Sequence, residues 1–366
     1  MASAPHKIAI VTTSLAQGGA ERVAANLSVM FSQLGYEVHV ISINNSIDFH
    51  YSGQLYNLGI EVQTKGWLRK IQKAILLKRY LTSQQISVVI DNRTRPVFWR
   101  EVVYKWVYQN RNAIFMMHSF KLENYLPKSH ILAHFLYTKN TQFVAVSQDI
   151  SQEIQRKYGF KKVQTIYNII PDFTASQAVP TTKSVPYILF FGRLDNQVKN
   201  FSLLLQAYKK SGLSDAGLQL KIMGDGPDAS FIIEQIIQLQ LNDFVTILPF
   251  QSEPFVVIMQ AKFTVLSSQY EGFPMAIVES LASGVPVVSV DCKSGPAELI
   301  QSGQNGLLVP NHNAQALADA MYELHTNTAL YEKCKNNAQK SVEHLSLKSI
   351  SAQWNNLLQA NDEKHN

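Results

Sequence analysis

The stretch 268–286 reads SQYEGFPMAIVESLASGVP and places two glutamates, Glu271 and Glu279, eight positions apart. Pro274 suits the first turn of a helix, where its missing N–H costs least, and the apolar residues after it predict a helix with one buried face. The first N–H groups of such a helix have no partner within it, and they can bind an anion such as a diphosphate. Because carboxylates repel phosphate, we expect Glu271 and Glu279 to accept hydrogen bonds from the neutral hydroxyl groups of a sugar or a ribose.

Strand-like runs alternate with helical patterns on both sides of this stretch, and glycine-rich turns follow several of the strands. These turns are GGAER at 18–22, GRL at 192–194 with Lys199 shortly after it, GDGP at 224–227, SGPAE at 294–298 and GQNG at 303–306. Ligands of parallel α/β sheets gather where the strands end, so the turns indicate a ligand site. Gly18 and Gly19 lack the G-x-G-x-x-G spacing of a dinucleotide-binding turn. They either close a tight loop or let a ligand approach the backbone.

In order and spacing, the motifs between residues 18 and 310 resemble those of the retaining glycosyltransferases of family 4, the E-x7-E type with the GT-B architecture. The resemblance implies an α/β fold of two Rossmann-like, doubly wound domains with a cleft between them. It implies that Arg193 and Lys199 bind the diphosphate of a nucleotide sugar, that Glu279 binds the ribose and that Glu271 binds the transferred sugar. It also implies retention at the anomeric carbon by a front-face displacement.

The candidate site residues form two groups. Those expected to act in catalysis are Arg193, Lys199, Glu271 and His118, and those expected to bind the nucleotide sugar are Gly18, Gly19, Gly192, Gly224, Gly272, Phe273, Met275, Ala276 and Glu279. For His118 the resemblance implies a contact with the donor sugar or the acceptor, whereas taken alone a histidine at a strand end is more often structural. We expect no metal ion and no cofactor, because the sequence has no D-x-D pair and because Arg193 and Lys199 can neutralise the charge that develops on the leaving diphosphate.

The length of 366 residues predicts two domains, and a composition of 46% hydrophobic and 16% charged residues excludes a disordered chain. We expect an acceptor-binding first domain over residues 1–172 and a nucleotide-sugar-binding second domain over 173–344. The resemblance implies that a C-terminal helix, over about 345–366, crosses back to the first domain. The polar stretch 168–186, which contains threonines and prolines, is the predicted linker. A short strand is predicted at Ile60–Gln63.

Positive charge is concentrated in the first half of the chain. Residues 1–172 hold 20 Lys and Arg against 10 Asp and Glu, a net charge of +10, whereas residues 173–366 hold 13 against 17, a net charge of −4. A basic half predicts an anionic partner, either nucleic acid or a membrane surface. The aromatic and glycine patterns of RNA-recognition modules are missing, so we expect an anionic membrane surface and no nucleic acid.

The predicted helix over 67–81 is the candidate membrane contact. Its apolar side consists of Trp67, Leu68, Ile71 and Ile75, and residues 65–90 contain no acidic residue. Either this helix lies in the membrane interface, together with Arg93, Arg95 and Arg100, or it packs its apolar side on its own sheet and exposes its cations to water. The sequence has no charge-free run of about 18 apolar residues and no signal peptide pattern, so we expect a cytoplasmic protein that lies peripherally on the inner face of the cell membrane.

Together these features predict a retaining, metal-independent hexosyltransferase. We expect it to move a sugar from a nucleotide donor, most simply a UDP-sugar, to a lipid-linked or surface-glycan acceptor at the cytoplasmic membrane face. Two alternatives stay open, a non-catalytic subunit that binds a nucleotide sugar and a sugar-nucleotide epimerase on the same fold. A glycosidase with two catalytic carboxylates is disfavoured, because the loops around Glu271 and Glu279 suit phosphate.

Overall fold

The computed structural model describes residues 7–16, 18–62, 64–94, 98–137, 141–170, 185–251 and 253–362, with the backbone alone for residues 98–100, 361 and 362. Arg95, the side chain of Arg100 and most of the predicted linker therefore lie outside the described part. The chain divides into two compact units. The first contains the residues up to Ile169 and those from Leu347 onward, and the second runs from Ile170 to Ser346.

Strands and helices alternate along both units. The strands are β1 (Lys7–Thr12), β2 (Glu37–Ser42), β3 (Gln54–Asn57), β4 (Val88–Asp91), β5 (Asn112–Met117), β6 (Gln142–Ala145), β7 (Val163–Thr165), β8 (Tyr187–Phe191), β9 (Gln219–Met223), β10 (Val245–Leu248), β11 (Thr264–Leu266), β12 (Val287–Asp291) and β13 (Gly306–Pro310). The helices are α1 (Gly19–Gln33), α2 (Leu58–Glu61), α3 (Gly66–Ser83), α4 (Phe98–Val107), α5 (His130–Leu136), α6 (Gln148–Tyr158), α7 (Asn196–Lys199), α8 (Phe201–Lys210), α9 (Ala229–Gln238), α10 (Phe255–Gln260), α11 (Met275–Ala282), α12 (Pro296–Leu299), α13 (Ala314–Thr326), α14 (Thr328–Ser341) and α15 (Leu347–Asp362). The predicted α/β fold class is confirmed.

The first unit contains a parallel sheet with the strand order β3-β2-β1-β4-β5-β6-β7. In β1, the run Ile8–Val11 is completely buried. Strands covered by helices on both faces are apolar on both faces, which explains why this run shows no alternation of polar and apolar residues.

The second unit contains a parallel sheet with the order β10-β9-β8-β11-β12-β13. In each sheet the chain begins at a central strand, winds to one edge and then continues toward the other. The strand order therefore reverses between β1 and β4 in the first sheet and between β8 and β11 in the second. Ligands of doubly wound sheets bind outside the carboxyl ends of the strands at these reversal points.

Helix α15 belongs to the first unit although it follows the second in sequence. The ring of Trp354 packs edge-on against Phe31 of α1, with 5.6 Å between the ring centroids. The hydroxyl of Tyr36 donates a hydrogen bond of 2.8 Å to Asn355 Oδ1. Trp354 is almost completely buried in this contact. Burial of so large an aromatic side chain stabilises the packing of α15 on the first unit.

One predicted strand is wrong. Residues 60–62 do not form a strand, because β3 ends at Asn57 and residues 58–61 form the helical turn α2; Gln63 lies outside the described residues. Asn57 stops the strand and caps this turn, since its side chain accepts a hydrogen bond from Gly59 N at 3.0 Å. Among the helices of the described part, none is both long and apolar enough to cross a bilayer.

Candidate active site

The reversal point of the second sheet brings together two of the predicted motifs. Gly192 and Arg193 follow β8, and Ser267 and Ser268 follow β11. Lys199 ends the short helix α7, which begins four residues after Gly192. The position therefore agrees with the general rule for ligand sites in doubly wound sheets.

Lys199 and Glu271 form an ion pair at this point. Lys199 Nζ lies 2.6 Å from Glu271 Oε1, and the two side chains are only 15% and 11% exposed. The hydroxyl of Ser268, a buried residue, donates a second hydrogen bond of 2.6 Å to the same oxygen. Among the described residues nothing donates to Glu271 Oε2, so this oxygen can accept a hydrogen bond from a ligand hydroxyl.

The thiol of Cys292 is buried close to this pair. Burial, and then the negative charge of Glu271, raise the pKa of the Cys292 thiol. The thiol therefore stays neutral and adds no charge to the site.

Backbone hydrogen bonds hold the loop of Glu271 on both sides. Gln269 N donates to Val198 O at 2.8 Å, Glu271 N donates to Lys293 O at 2.9 Å, and Ser294 N donates to Glu271 O at 3.1 Å. A Cβ at Gly295, where φ is +100°, would come within 2.6 Å of Pro274 Cδ. The SGPAE turn thus supports the EGFP turn by direct packing.

Helix α11 begins as the sequence predicts. Its N-cap residue, Pro274, offers no side-chain cap, and the first amides bonded to the Pro274 carbonyl are those of Ile277 and Val278. The N–H groups of Met275 and Ala276 therefore have no partner in the described part of the chain, as expected for a helix start that binds an anion.

The remaining residues of the E-x7-E stretch are mostly buried. Glu279 and Phe273 are both buried, and Ser294 Oγ donates to Gly272 O at 2.7 Å. Glu279 is therefore not a solvated residue on the outer face of its helix.

Arg193 is held much less firmly than Lys199. Its side chain is 68% exposed, and its Nε lies 3.9 Å from Asp195 Oδ2, too far for a hydrogen bond. The guanidinium is therefore available to a ligand at the end of β8.

The glycines of the two units differ in what they do. A Cβ at Gly224 would lie 1.9 Å from Gly192 O, so the close approach of the ends of β8 and β9 requires glycine there. In the first unit, a Cβ at Gly18 would meet only the flexible end of Glu21, and one at Gly19 would meet nothing within 4 Å. The backbone at Gly19 is thus open to an approaching molecule.

The carboxyl edge of the first sheet places His118 beside Asn92, a residue for which the sequence suggested no role. Asn92 Nδ2 donates to Ala20 O at 2.6 Å, which orients the side-chain amide so that its oxygen faces His118 Nε2, 2.6 Å away. His118 Nε2 must therefore carry a proton, and Nδ1 is the acceptor atom of the neutral ring. Asn92 could have been suspected from its position directly after β4.

Arg93 was expected in the membrane contact, and this expectation is wrong. Its guanidinium is buried and forms a two-pronged pair with Asp91, with Nε 2.9 Å from Oδ1 and Nη2 2.6 Å from Oδ2. The hydroxyls of Tyr104 and Tyr108 accept from Arg93 at 2.6 and 3.0 Å. Burial raises the pKa of Tyr108 well above its usual value. No pattern in the sequence indicates that Arg93 turns inward toward the aspartate two positions before it.

In the described part of the chain, no group of three His, Cys, Asp or Glu side chains is arranged to hold a metal ion.

Two family models match successive parts of the chain. The model described as Glycosyltransferase Family 4 matches residues 17–172, and the model described as Glycosyl transferases group 1 matches residues 172–341. The boundary between the two matches lies three residues after the end of the first compact segment.

Curated relatives match over nearly the whole chain. The N-acetylgalactosamine-N,N'-diacetylbacillosaminyl-diphospho-undecaprenol 4-alpha-N-acetylgalactosaminyltransferase of Campylobacter jejuni is 27% identical over 351 residues, 91% of this chain and 94% of that protein. The lipopolysaccharide 1,6-galactosyltransferase of Escherichia coli K12 is 26% identical over 303 residues, 80% of this chain and 81% of that protein.

Solved structures share the architecture. Anabaena HepE, in complex with UDP and glucose, aligns with a TM-score of 0.79 at 19% identity over 97% of this chain and 100% of that one. S. aureus TarM, in complex with fondaparinux, alpha-GlcNAc-glycerol and UDP, aligns with a TM-score of 0.78 at 15% identity over 96% of this chain and 99% of that one. The predicted GT-B architecture of two Rossmann-like domains is thereby confirmed.

Proposed function

Since the chain belongs to the family 4 glycosyltransferases with the GT-B fold, we propose that it transfers a sugar, with retention and without a metal ion, from a UDP-sugar to a lipid-linked or surface-glycan acceptor. The observation that carries this proposal is the shielded Lys199–Glu271 pair at the reversal point of the second sheet. The pair places a cation that can bind a diphosphate next to a carboxylate that can bind a sugar hydroxyl, with 2.6 Å between Lys199 Nζ and Glu271 Oε1.

The donor end of the proposal rests on unused hydrogen-bonding capacity. An ammonium group has three donors, and Glu271 takes one of those of Lys199, which leaves two for phosphate oxygens. Arg193 and the N–H groups of Met275 and Ala276 add donors for the same diphosphate. Such preorganised positive charge stabilises the negative charge that develops on the diphosphate as its bond to the sugar breaks.

UDP is the proposed nucleotide because solved relatives of the same fold hold it, as in the HepE and TarM complexes. Buried Glu279 is proposed to bind the ribose, and Glu271 Oε2 a hydroxyl of the transferred sugar. His118 is proposed to contact the donor sugar or the acceptor, with its ring oriented by the hydrogen bond between Nε2 and Asn92 Oδ1.

The proposed reaction is a front-face displacement. The acceptor oxygen forms a bond to the anomeric carbon while the bond from that carbon to the phosphate oxygen breaks, and the acceptor proton passes to the leaving diphosphate. Both bonds lie on one face of the sugar, so the configuration is retained. The acceptor is proposed to be lipid-linked or part of a surface glycan, because relatives carry names of this kind. The reaction is proposed to take place at the cytoplasmic membrane face.

Purified protein tests this proposal in two stages. A thermal-shift panel of UDP-, GDP- and ADP-sugars identifies the donor, because a ligand at 100 times its Kd stabilises a protein by about 2.7 kcal/mol. Donor turnover is then followed with a polyprenyl-diphosphate-linked sugar as acceptor, with and without EDTA, and NMR assigns the anomer formed. We expect a UDP-sugar, retention and full activity in EDTA. Inversion, or loss of activity that Mn²⁺ restores, contradicts the mechanism, and absence of any turnover favours a binding subunit.

A further inference from the structure

Three neighbouring helices of the first unit, α3, α4 and α5, expose large apolar side chains. These are Trp67, Leu68, Ile71 and Ile75 on α3, Val102, Val103 and Trp106 on α4, and Ile131 and Phe135 on α5, and together they are called the three-helix surface. Ile131 is 85% exposed, and Trp67 and Phe135 are each 69% exposed. Contiguous exposed apolar surface on this scale is typical of an interaction site.

Two cation–ring contacts join the helices into one surface. Lys78 of α3 places Nζ 4.0 Å from the ring centroid of Trp106 on α4. Lys105 of α4 places Nζ 4.4 Å from the ring of Phe135 on α5 and donates to its carbonyl oxygen at 2.7 Å. These contacts place Trp106 beside α3 and Phe135 beside α4, so the exposed faces of the three helices adjoin one another.

The helix α3 does not pack this apolar side on its own sheet, which was one of the two alternatives for it. Its inward side chains are Leu77 and Leu81, both completely or almost completely buried. The stripe of Trp67, Ile71 and Ile75, spaced four residues apart, lies on the outside.

The charges of the surface have one sign. Arg69, Lys70 and Arg79 are exposed on α3. The single acidic residue in the three helices is Glu101, which is buried and accepts a hydrogen bond from Tyr137. Lys73 is not available in the same way, because it donates to the carbonyl of Ile43.

We propose that the three-helix surface binds an anionic lipid bilayer. Trp67 enters the headgroup region, where amphipathic aromatic rings are favoured, Ile131 and Phe135 enter the boundary between headgroups and acyl chains, and Arg69 and Lys70 contact lipid phosphates. A second copy of the chain suits the surface less well, because two faces of the same positive sign would meet. A bilayer bound at this surface brings the chain to a lipid-linked acceptor. Only this link between the surface and the acceptor rests on the proposed function.

Flotation of the full-length chain with vesicles tests the proposal. We expect binding to phosphatidylcholine vesicles that contain phosphatidylglycerol, weaker binding as salt rises, and little binding to phosphatidylcholine alone. Ile131→Ser with Phe135→Ser should lose most of the binding. Arg69→Glu with Lys70→Glu should weaken it roughly 30-fold or more, since each cation near an anionic surface contributes about a five-fold factor.

Matched controls come from the second unit. Ile233 and Ile237 are 48% and 56% exposed on α9, and Lys333 and Lys335 are exposed on α14. Ile233→Ser with Ile237→Ser, and Lys333→Glu with Lys335→Glu, should bind vesicles as the parent does. Equal thermal midpoints for all variants show that folding is intact.

Three results would overturn the proposal. The first is that both first-unit variants bind vesicles as well as the parent does. The second is that the parent binds neutral and anionic vesicles equally. The third is that the parent forms a dimer, and that Ile131→Ser with Phe135→Ser abolishes the dimer while vesicle binding persists. Hydrolysis of soluble UDP-sugar is measured on the same variants without vesicles and should be unchanged. A parent that binds vesicles but turns over no donor refutes the proposed function and leaves the surface assignment intact.

Discussion

The two units wind their sheets in the same order, but they use the corresponding strand ends differently. After β4, at the reversal point of the first sheet, Arg93 is paired with Asp91 on two atoms and also bonded to Tyr104 and Tyr108. After β11, at the reversal point of the second, Glu271 meets Lys199 through one atom of each. The guanidinium of Arg93 uses its N–H donors on protein groups. Lys199 keeps two N–H donors, and Glu271 keeps the acceptor Oε2, for a ligand.

The outer faces can be compared as well. Both units expose apolar side chains, such as Ile233 and Ile237 on α9, but α3, α4 and α5 of the first unit also carry cations that lie over exposed aromatic rings. A shared topology determines where a ligand site can lie. Which strand end is a ligand site, and which is structural, depends on how many polar groups each leaves unused.

The largest expected effect tests whether the Arg93 pair is structural. Arg93→Met leaves Asp91 as a buried charge without its partner, which typically costs about 3–5 kcal/mol of stability. Chemical denaturation should show this loss in the free energy of unfolding. The residual folded fraction should keep its affinity for UDP, and a stable variant that fails to bind UDP would move the ligand site to the first unit.

A slightly smaller effect is expected on catalysis at the second pair. Lys199→Ala should lower turnover of the donor by roughly 10²–10³, the scale for removing a group that stabilises developing charge. Lys333→Ala, at an exposed lysine of the same unit, is the control and should keep the parent rate. Parent-level turnover in the Lys199 variant removes this lysine from the phosphate site.

The glycine turns allow the two units to be compared by their backbones. Gly224→Ala should destabilise the second unit by about 1–3 kcal/mol, because the new Cβ would be forced against Gly192 O. Gly19→Ala should melt with the parent, since its Cβ meets nothing within 4 Å. Thermal melts measure both, and any loss of turnover in the stable Gly19 variant then reports contact with a substrate. A destabilised Gly19 variant instead favours the tight-loop interpretation.

The smallest expected effect concerns Asn92 as a positioning residue for His118. Asn92→Asp places a negative charge beside Nε2, which favours the protonated imidazole over the neutral ring. If the neutral ring is the active form, the acidic limb of the turnover–pH profile should move to higher pH by about one unit. Asn92→Ala should lower turnover without this shift. An unshifted profile in Asn92→Asp would show that the neutral ring of His118 is not required.

Much of the fold was accessible from the sequence for a simple physical reason. Buried parallel strands are short apolar runs, so the alternation of strands and helices on both sides of the E-x7-E stretch could be predicted, as the strands from β8 to β13 show. The start of α11 was predictable from Pro274, whose chemistry is local. The strand at Ile60–Gln63 failed because two apolar positions in four residues, Ile60 and Val62, are too few to distinguish a strand from a helical turn.

The contacts within the site were less accessible, because they join distant parts of the chain. Lys199 and Glu271 are 72 positions apart. From the sequence we expected Lys199 to bind phosphate and Glu271 to bind sugar, but not that the two side chains would pair. Ser268 and Asn92 received no role, since their importance lies in the atoms that they orient. Arg93 was misplaced because its charge suggested a surface, whereas the tyrosines that bury it follow 11 and 15 positions later.

Calorimetric titration of UDP into the purified chain tests whether the reversal point of the second sheet is the nucleotide site. We expect one site per chain, with affinity at least ten-fold weaker in Lys199→Ala, a loss of about 1.4 kcal/mol. The affinity should be unchanged in Asn92→Asp and in Arg69→Glu with Lys70→Glu, which alter the first unit. Equal affinity in the parent and in Lys199→Ala, or a loss confined to the first-unit variants, would contradict the assignment.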